Sequence, residues 1–184
     1  MDETKKIIIE TIKPTKKTVK IEKDKVKRVI TDTEKWTNNV KKEILEEPLK
    51  QRKMIEDMFN KCINEINQEH SKIIIQQIHK KISGYRAQDI DKKKYEPDKF
   101  VDYETILANL FDCNVNCYYC KEPVLVLYEH VRNMKQWTIE RIDNDFGHNK
   151  DNMEIACLKC NLRRRTMHQE RYLLTKQLQN IVKI

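Results

Sequence analysis

Apolar residues recur at helical spacing through the middle of the chain. Between Leu49 and Ile82 they return every three or four residues, which places them on one stripe of an α-helix. Pro48 is suited to the first turn of such a helix, and Gly84 to the position just after its end. The pattern predicts one long amphipathic helix over residues 49–82, whose stripe must pack on another part of the chain or on a second copy. The stripe consists of Met54, Ile55, Met58, Phe59, Cys62, Ile63, Ile66, Ile73, Ile74, Ile78 and Ile82.

The residues before this helix are more polar. Lysine alternates with Ile, Thr and Val over residues 1–31, which predicts a flexible basic arm. A shorter helix is expected from Asp32 or Thr33 to Glu46. Its apolar positions are Trp36, Val40 and Ile44. The predicted organisation is therefore an arm (1–31), a helical region (32–96) and a C-terminal module (97–184).

The C-terminal module has a different pattern. Two β-prone runs, at 124–128 and 136–139, precede a polar loop, and a helix rich in arginine follows. Two strands, a loop and a helix make a ββα plan. With the helical region before it, the fold class predicted for the chain is α+β.

Cysteine spacing indicates a metal site in this module. Cys117 and Cys120 form one CxxC pair, and Cys157 and Cys160 form another. Two residues between cysteines let both thiolates face one ion, and two such pairs complete the four-sulfur shell of a structural Zn²⁺ ion. Cys113 lies one residue outside this spacing and is predicted to be a bystander, with ligand exchange between Cys113 and Cys117 as the alternative. A closed shell of this kind stabilises a fold and leaves no coordination position for chemistry.

The start of the chain lacks the apolar core of a secretory signal, and no run of apolar residues is long enough to span a membrane. The thiols are therefore expected in a reducing compartment, cytoplasmic or nuclear, where metal binding is more common than disulfide formation.

Basic residues are concentrated at the two ends of the chain. The net charge is +8, and residues 1–31 hold ten basic against five acidic side chains, while residues 157–184 hold seven against one. This distribution favours a polyanionic partner, and DNA is the partner we predict. The candidate contact residues are Arg163, Arg164 and Arg165 after the second CxxC pair, with Arg86, Lys92 and Lys93 upstream. The segment 83–95 also carries Tyr85 and Tyr95, either of which can stack on a splayed base or pack on the helices.

The string from Trp137 to Arg165 resembles the HNH (ββα-metal) endonucleases. It is closest in pattern to the subgroup with D-R-I-D-N, followed by G-H, N and C-x-x-C-N. The same string is similar to HNH-type proteins of large double-stranded DNA viruses. A location in a viral factory or a virion is consistent with that likeness. The matching residues here are Glu140, Arg141, Ile142, Asp143, Asn144, Gly147, His148, Asn152, Cys157, Cys160 and Asn161.

The resemblance implies a second metal site, distinct from zinc. Glu140 and Asn161 fall at the ligands of a catalytic Mg²⁺ or Mn²⁺ ion, and Asn152 falls at the residue that orders the loop. The family's general base falls at Arg141, which cannot accept a proton at any working pH. Asp143 and His148 are the alternative bases, and Arg141 is suited to clamping a phosphate.

Two functions are therefore expected. The first is a metal-dependent endonuclease or nickase that hydrolyses phosphodiester bonds in DNA. The alternative is a catalytically inactive DNA-binding subunit of a viral-type replication, packaging or transcription assembly. The stripe of the 49–82 helix is the surface predicted to mediate homodimerisation or assembly in either case.

Overall fold

The computed structural model describes residues 44–45, 47–62 and 68–179 of the 184-residue chain. The described part is α+β, as predicted, with five helices and a two-stranded antiparallel sheet. The predicted arm (1–31) and nearly all of the predicted helix that ends at Glu46 lie outside the described residues. The elements are α1 (Pro48–Phe59), α2 (Gln68–Asp91), α3 (Tyr103–Asp112), β1 (Trp137–Arg141), β2 (Met153–Cys157), α4 (Leu158–Arg164) and α5 (Gln169–Gln179).

The prediction of one helix over residues 49–82 is wrong. The first helix ends at Phe59, and Lys61 takes a left-handed backbone conformation with φ of 56°. The second helix then continues past Gly84 to Asp91. Glycine inside an exposed helix costs only about 1 kcal/mol, so it does not end a helix that is anchored on both sides. Cys62, which the stripe predicted to be in the core, is exposed.

The apolar faces of α1 and α2 pack within the chain. Ile55, Ile74 and Ile78 are fully buried, in one cluster with residues of α3 and of the strands. The face that was expected to need a partner therefore finds one inside the chain. No helix in the described ranges is long and apolar enough to cross a membrane.

The run 124–128, predicted to be a strand, is buried but lies outside the sheet. Leu125 makes only an isolated bridge to Gln136. The side chain of Gln51, itself buried on α1, replaces a partner strand. Its Oε1 accepts from the amides of Val126 and Leu127 at 2.7 and 2.9 Å, and its Nε2 donates to the Leu127 carbonyl at 2.9 Å. Burial, rather than sheet pairing, explains the apolar character of this run.

The two strands instead flank the polar loop. β1 and β2 pair in antiparallel register, with Ile139 opposite Ile155 and Thr138 opposite Ala156. The loop between them is residues 142–152, and α4 begins directly after β2. The order is therefore strand, loop, strand, helix. The predicted strand at 136–139 corresponds to β1, whereas β2 lies after the loop, in a segment where no strand was predicted.

Candidate metal centre and nucleic-acid interface

The four predicted cysteines meet at one point. The sulfur atoms of Cys117, Cys120, Cys157 and Cys160 all lie within 4.8 Å of one another, and those of Cys120 and Cys157 are 3.9 Å apart. Four thiolates around one Zn²⁺ ion are separated by roughly 3.8 Å, given Zn–S bonds of about 2.3 Å. Within the described ranges this is the only group of three or more Cys, His, Asp or Glu that could hold a metal ion.

Local backbone structure forms each half of the cluster. After the first pair, Lys121 takes a φ of 59° and its amide donates to the Cys117 carbonyl at 2.9 Å, which closes the turn. The second pair lies where β2 meets α4. Cys157 is the N-cap of that helix, and its sulfur accepts from the Cys160 amide at 3.4 Å. Amide donors and a helix N-terminus both favour the thiolate form that binds metal.

Hydrogen bonding among the thiols also favours a thiolate. Cys157 and Cys160 hold the pKa of the Cys117 thiol far below its ordinary range, while the same contacts raise the pKa values of Cys157 and Cys160, so one of these three thiols is the thiolate. Cys113 takes no part, since its half-buried thiol donates to the Leu110 carbonyl at 3.5 Å. Cys113 therefore lies outside the cluster of four sulfur atoms.

One face of β1 packs against α4 beside the cysteine cluster. Thr138 and Glu140 share that face because alternate residues of a strand point the same way. Asn161 and Arg164 share the facing side of α4 because they are three residues apart. The amide of Asn161 donates to the Thr138 hydroxyl at 3.2 Å, and the guanidinium of Arg164 forms an ion pair with Glu140.

Arg164 was predicted to contact DNA, and the structure contradicts this. The side chain is fully buried, and besides Glu140 it donates to the carbonyls of Arg141 at 2.6 Å and Ile142 at 2.8 Å. It therefore ties the start of the loop to α4. The sequence suggested three equivalent arginines, but only Arg163 and Arg165 are exposed.

Glu140 is buried with only one of its two oxygens satisfied. Oε1 faces Arg164, while Oε2 has no hydrogen-bond partner among the described residues. Burial raises the pKa of Glu140 above its ordinary value, and the Arg164 guanidinium opposes that shift. An unpartnered buried carboxylate oxygen has the chemistry of a ligand for a hard cation, although the Arg164 guanidinium already balances the charge of this carboxylate.

The loop between the strands is ordered from within by Asn152. Its Oδ1 accepts from the Asp143 amide at 2.8 Å, and its Nδ2 donates to the carbonyls of Asp143 and Gly147 at 2.9 and 3.0 Å. These three hydrogen bonds join both ends of residues 143–147 to one side chain. Arg141 is half-buried, and its guanidinium donates to the Phe146 carbonyl at 3.2 Å, so this side chain also contacts the loop backbone. Asp143 is exposed.

His148 is not the free loop imidazole that the sequence suggested. It is buried, and Asp89 of α2 accepts both from its backbone amide at 2.7 Å and from its Nδ1 at 2.8 Å. Burial lowers the pKa of His148, against the opposing effect of Asp89. The neutral ring therefore carries its proton on Nδ1, which donates to the carboxylate. The ring of Tyr85 lies against the imidazole with centroids 4.4 Å apart.

Asp89 and Tyr85 were missed as part of the site. Asp89 is fully buried on α2, and the Tyr85 hydroxyl accepts from the Ile139 amide of β1 at 2.9 Å. Both residues lie more than fifty positions from their partners, so nothing in local spacing could have linked them to the loop. Together they make α2 one wall of the site.

Gly147 gives a test of this close packing. A methyl group at its Cα would lie 2.3 Å from the Lys94 carbonyl and 2.9 Å from Asp89 Oδ2. We expect Gly147→Ala to destabilise the protein by about 1–3 kcal/mol in urea denaturation, the usual cost of overpacking. Gly84→Ala is the matched control, because open space surrounds that helical position, and it should stabilise by about 0.5–1 kcal/mol. Equal effects of the two substitutions would contradict the contact.

The remaining predicted nucleic-acid contacts are accessible. Arg163, Arg165, Lys92 and Lys93 are all exposed, as is Arg86, whose guanidinium lies over aromatic rings. Phosphate contact requires this accessibility.

Comparison with known proteins gives no further guide to this site. No protein-family model, no curated protein and no solved structure matches the chain. The geometry of the described residues therefore carries the functional argument.

Proposed function

We propose that this chain is an HNH-type DNA endonuclease or nickase whose ββα module is stabilised by zinc. The observation that carries the proposal is the arrangement of β1, the loop and α4. Glu140 and Asn161 lie on facing elements, under a loop ordered by Asn152, directly beside the cysteine cluster. These are the positions at which the HNH resemblance implies catalytic metal ligands and the loop-ordering residue.

In this proposal the four cysteines bind Zn²⁺ and have a purely structural role. A closed four-sulfur shell offers no open coordination position. Between Cys117 and β1 the described chain contains no helix and no paired strand. A bound Zn²⁺ ion would therefore stabilise a segment that has few regular backbone hydrogen bonds of its own.

The catalytic Mg²⁺ or Mn²⁺ ion would be held by Glu140 Oε2 and the side-chain oxygen of Asn161, and it would supply positive charge next to the leaving oxygen of the phosphodiester. Arg141 orients the scissile phosphate, since a guanidinium matches two phosphate oxygens. Asp143, exposed at the start of the loop, accepts the proton from water. His148 holds the loop to α2 through Asp89.

The second candidate is a DNA-binding subunit without hydrolytic activity, in a viral-type replication, packaging or transcription assembly. Two observations favour it. Arg164 already neutralises Glu140 inside the fold, and Arg141 occupies the position of the family's general base. An arginine at that position binds phosphate but cannot activate water.

A plasmid-nicking assay with Mn²⁺ tests the enzymatic proposal. Protein with full zinc occupancy should convert supercoiled plasmid to the open-circular form, and Asn161→Ala should slow this by about 100-fold or more, because a metal ligand supplies several kcal/mol to the transition state. Asn109→Ala, on a half-buried asparagine of α3 outside the site, is the matched control. Zinc content should be unchanged in both variants.

The same assay separates the two candidates. If zinc-loaded protein binds DNA without nicking it, and Asn161→Ala leaves binding unchanged, the enzymatic proposal fails and the binding role stands.

DNA affinity is expected to depend steeply on salt through the exposed arginines. Arg163→Gln and Arg165→Gln should each lower the slope of log affinity against log salt by about 1, because each removes one phosphate contact. Fluorescence anisotropy with a labelled duplex over 50–200 mM salt, about the range in which such contacts weaken, measures the slope. Lys53→Gln is the control, since that exposed lysine is paired with Glu56 and Asp57. An unchanged slope in both arginine variants would remove this surface from the interface.

A further inference from the structure

A cleft of about 400 Å³ lies beside the proposed site, between α2 and the segment that leads into α3. Its lining includes the rings of His79, Tyr95, Phe100 and Tyr103, the cations Arg86 and Lys150, and the carboxylates of Asp102 and Glu104. Neither the cysteine cluster nor the β1–α4 face contributes to it. Its volume falls at the lower end of the range for small-ligand sites.

Aromatic rings form two walls of the cleft. The rings of His79 and Tyr103 stack with centroids 5.4 Å apart and planes at 20°, so that they present a flat surface. Tyr95 meets Phe100 edge to face at 5.2 Å. Flat aromatic surfaces of this kind are the groups on which a nucleobase stacks.

The two cations of the cleft differ. Lys150 forms an ion pair with Asp102, whereas Arg86 makes no ion pair with any described residue. The Arg86 guanidinium instead lies over the rings of Tyr95 and Phe100, 5.8 and 5.5 Å from their centroids. An exposed arginine that lies over aromatic rings and has no acidic partner among the described residues keeps N–H donors for an anion.

The cleft is continuous with the loop of the proposed site. The Val101 amide donates to the His148 carbonyl at 3.1 Å, and the Lys150 amide donates to the Lys99 carbonyl at 2.8 Å. Arg86 is one helical turn from Asp89, which holds the loop on its other side. A DNA strand that crosses the loop therefore passes the mouth of the cleft.

We propose that the cleft takes one unstacked nucleotide of the bound DNA, with its base on the aromatic walls and its phosphate on Arg86. The inference rests on the proposed function, because it assumes that DNA crosses the loop. It adds that the protein holds one nucleotide out of the base stack. Of the two tyrosines in segment 83–95, Tyr95 is the one that faces this ligand, while Tyr85 is used inside the fold.

Photo-crosslinking tests the proposal directly. A fluorescent single-stranded oligonucleotide with 5-iododeoxyuridine at successive positions is bound to the full-length, zinc-loaded protein, irradiated, and the adducts are mapped by mass spectrometry. We expect adducts on Tyr103, Tyr95 or His79. Tyr103→Leu and the exposed His79→Leu should each weaken binding by about tenfold and remove the adduct, because each loses a stacking surface. Arg86→Gln should weaken binding by a smaller factor.

Two control variants test whether removing an aromatic ring or a positive charge outside the cleft has the same effect. Phe59→Leu removes an exposed ring that stacks on Phe111, outside the cleft. Lys72→Gln removes an exposed cation of α2 that lies 14 residues from Arg86, about 21 Å along a helix. Neither control should change the adducts.

The outcomes separate this inference from the proposed function. If the oligonucleotide and a duplex both fail to bind in anisotropy, the proposed function is overturned, and this inference with it. If DNA binds but all adducts fall outside the cleft, and His79→Leu binds as tightly as Phe59→Leu, only this inference is overturned. Adducts within the cleft that are lost in His79→Leu support it.

Discussion

Cys160→Ser is expected to abolish zinc binding and to unfold the C-terminal module. Cys160 is buried, and its sulfur lies within 4.8 Å of the three other thiols. A structural Zn²⁺ site supplies on the order of 10–16 kcal/mol, which is as large as the whole net stability of a typical domain, about 5–15 kcal/mol. Metal analysis should fall from about one zinc ion per chain to none, and the thermal unfolding transition should be lost or broadened.

Two other cysteines provide matched controls. Cys113→Ser and Cys62→Ser each replace a sulfur atom by oxygen outside the cluster. The Cys113 thiol is half-buried and the Cys62 thiol is exposed. Both should keep zinc and should shift stability by less than about 1 kcal/mol. The zinc assignment would be refuted if Cys160→Ser retained full metal content, or if Cys113→Ser lost zinc to the same extent.

The cysteine cluster could be predicted from the sequence because its geometry is local. Two residues between cysteines define each half, and only the meeting of the two halves depends on the fold. The strand at 136–139, the loop and the helix were also recoverable, but β2 was not predicted, and a strand was placed instead in the run 124–128. That run is apolar because it is buried, and two of its amides, those of Val126 and Leu127, are satisfied by the side chain of Gln51. A hydrophobic pattern indicates that a segment is buried, but it cannot show whether the segment is a paired strand of a sheet or an unpaired buried segment.

Interactions between distant elements could not be predicted. Arg163, Arg164 and Arg165 are adjacent and chemically identical in sequence, yet only Arg164 turns inward to a carboxylate 24 positions away. His148 is held by Asp89, which is 59 positions away. The break between α1 and α2 was hidden because apolar residues continue across it at nearly helical spacing. For Arg164 and His148 the partner lies on another element, so the sequence pattern of one element cannot show which side chains turn inward.

Arg164→Met is expected to be the most destabilising substitution of a basic residue in the described part of the C-terminal module. It removes the cation that faces buried Glu140 and the donors to the carbonyls of Arg141 and Ile142. Breaking one side of a buried ion pair costs about 3–5 kcal/mol, since the other charge stays buried without a partner. Urea denaturation should show this loss, and the melting temperature should fall by about 10 °C or more.

Arg163→Met is the matched control, because the neighbouring arginine is exposed and its removal should change stability by no more than about 0.5 kcal/mol. The double variant Arg164→Met/Glu140→Leu should recover part of the loss, since it removes the unpaired carboxylate as well. Equal stability of Arg164→Met and Arg163→Met would show that the ion pair does not form in solution.

The Arg164→Met variant also tests whether Glu140 can bind a metal ion. If Glu140 can hold a divalent ion, freeing it from Arg164 should let millimolar Mn²⁺ raise the melting temperature of the variant more than that of the wild-type protein, because a ligand stabilises the folded state to which it binds. No response to Mn²⁺ in either protein would favour the DNA-binding role without hydrolysis.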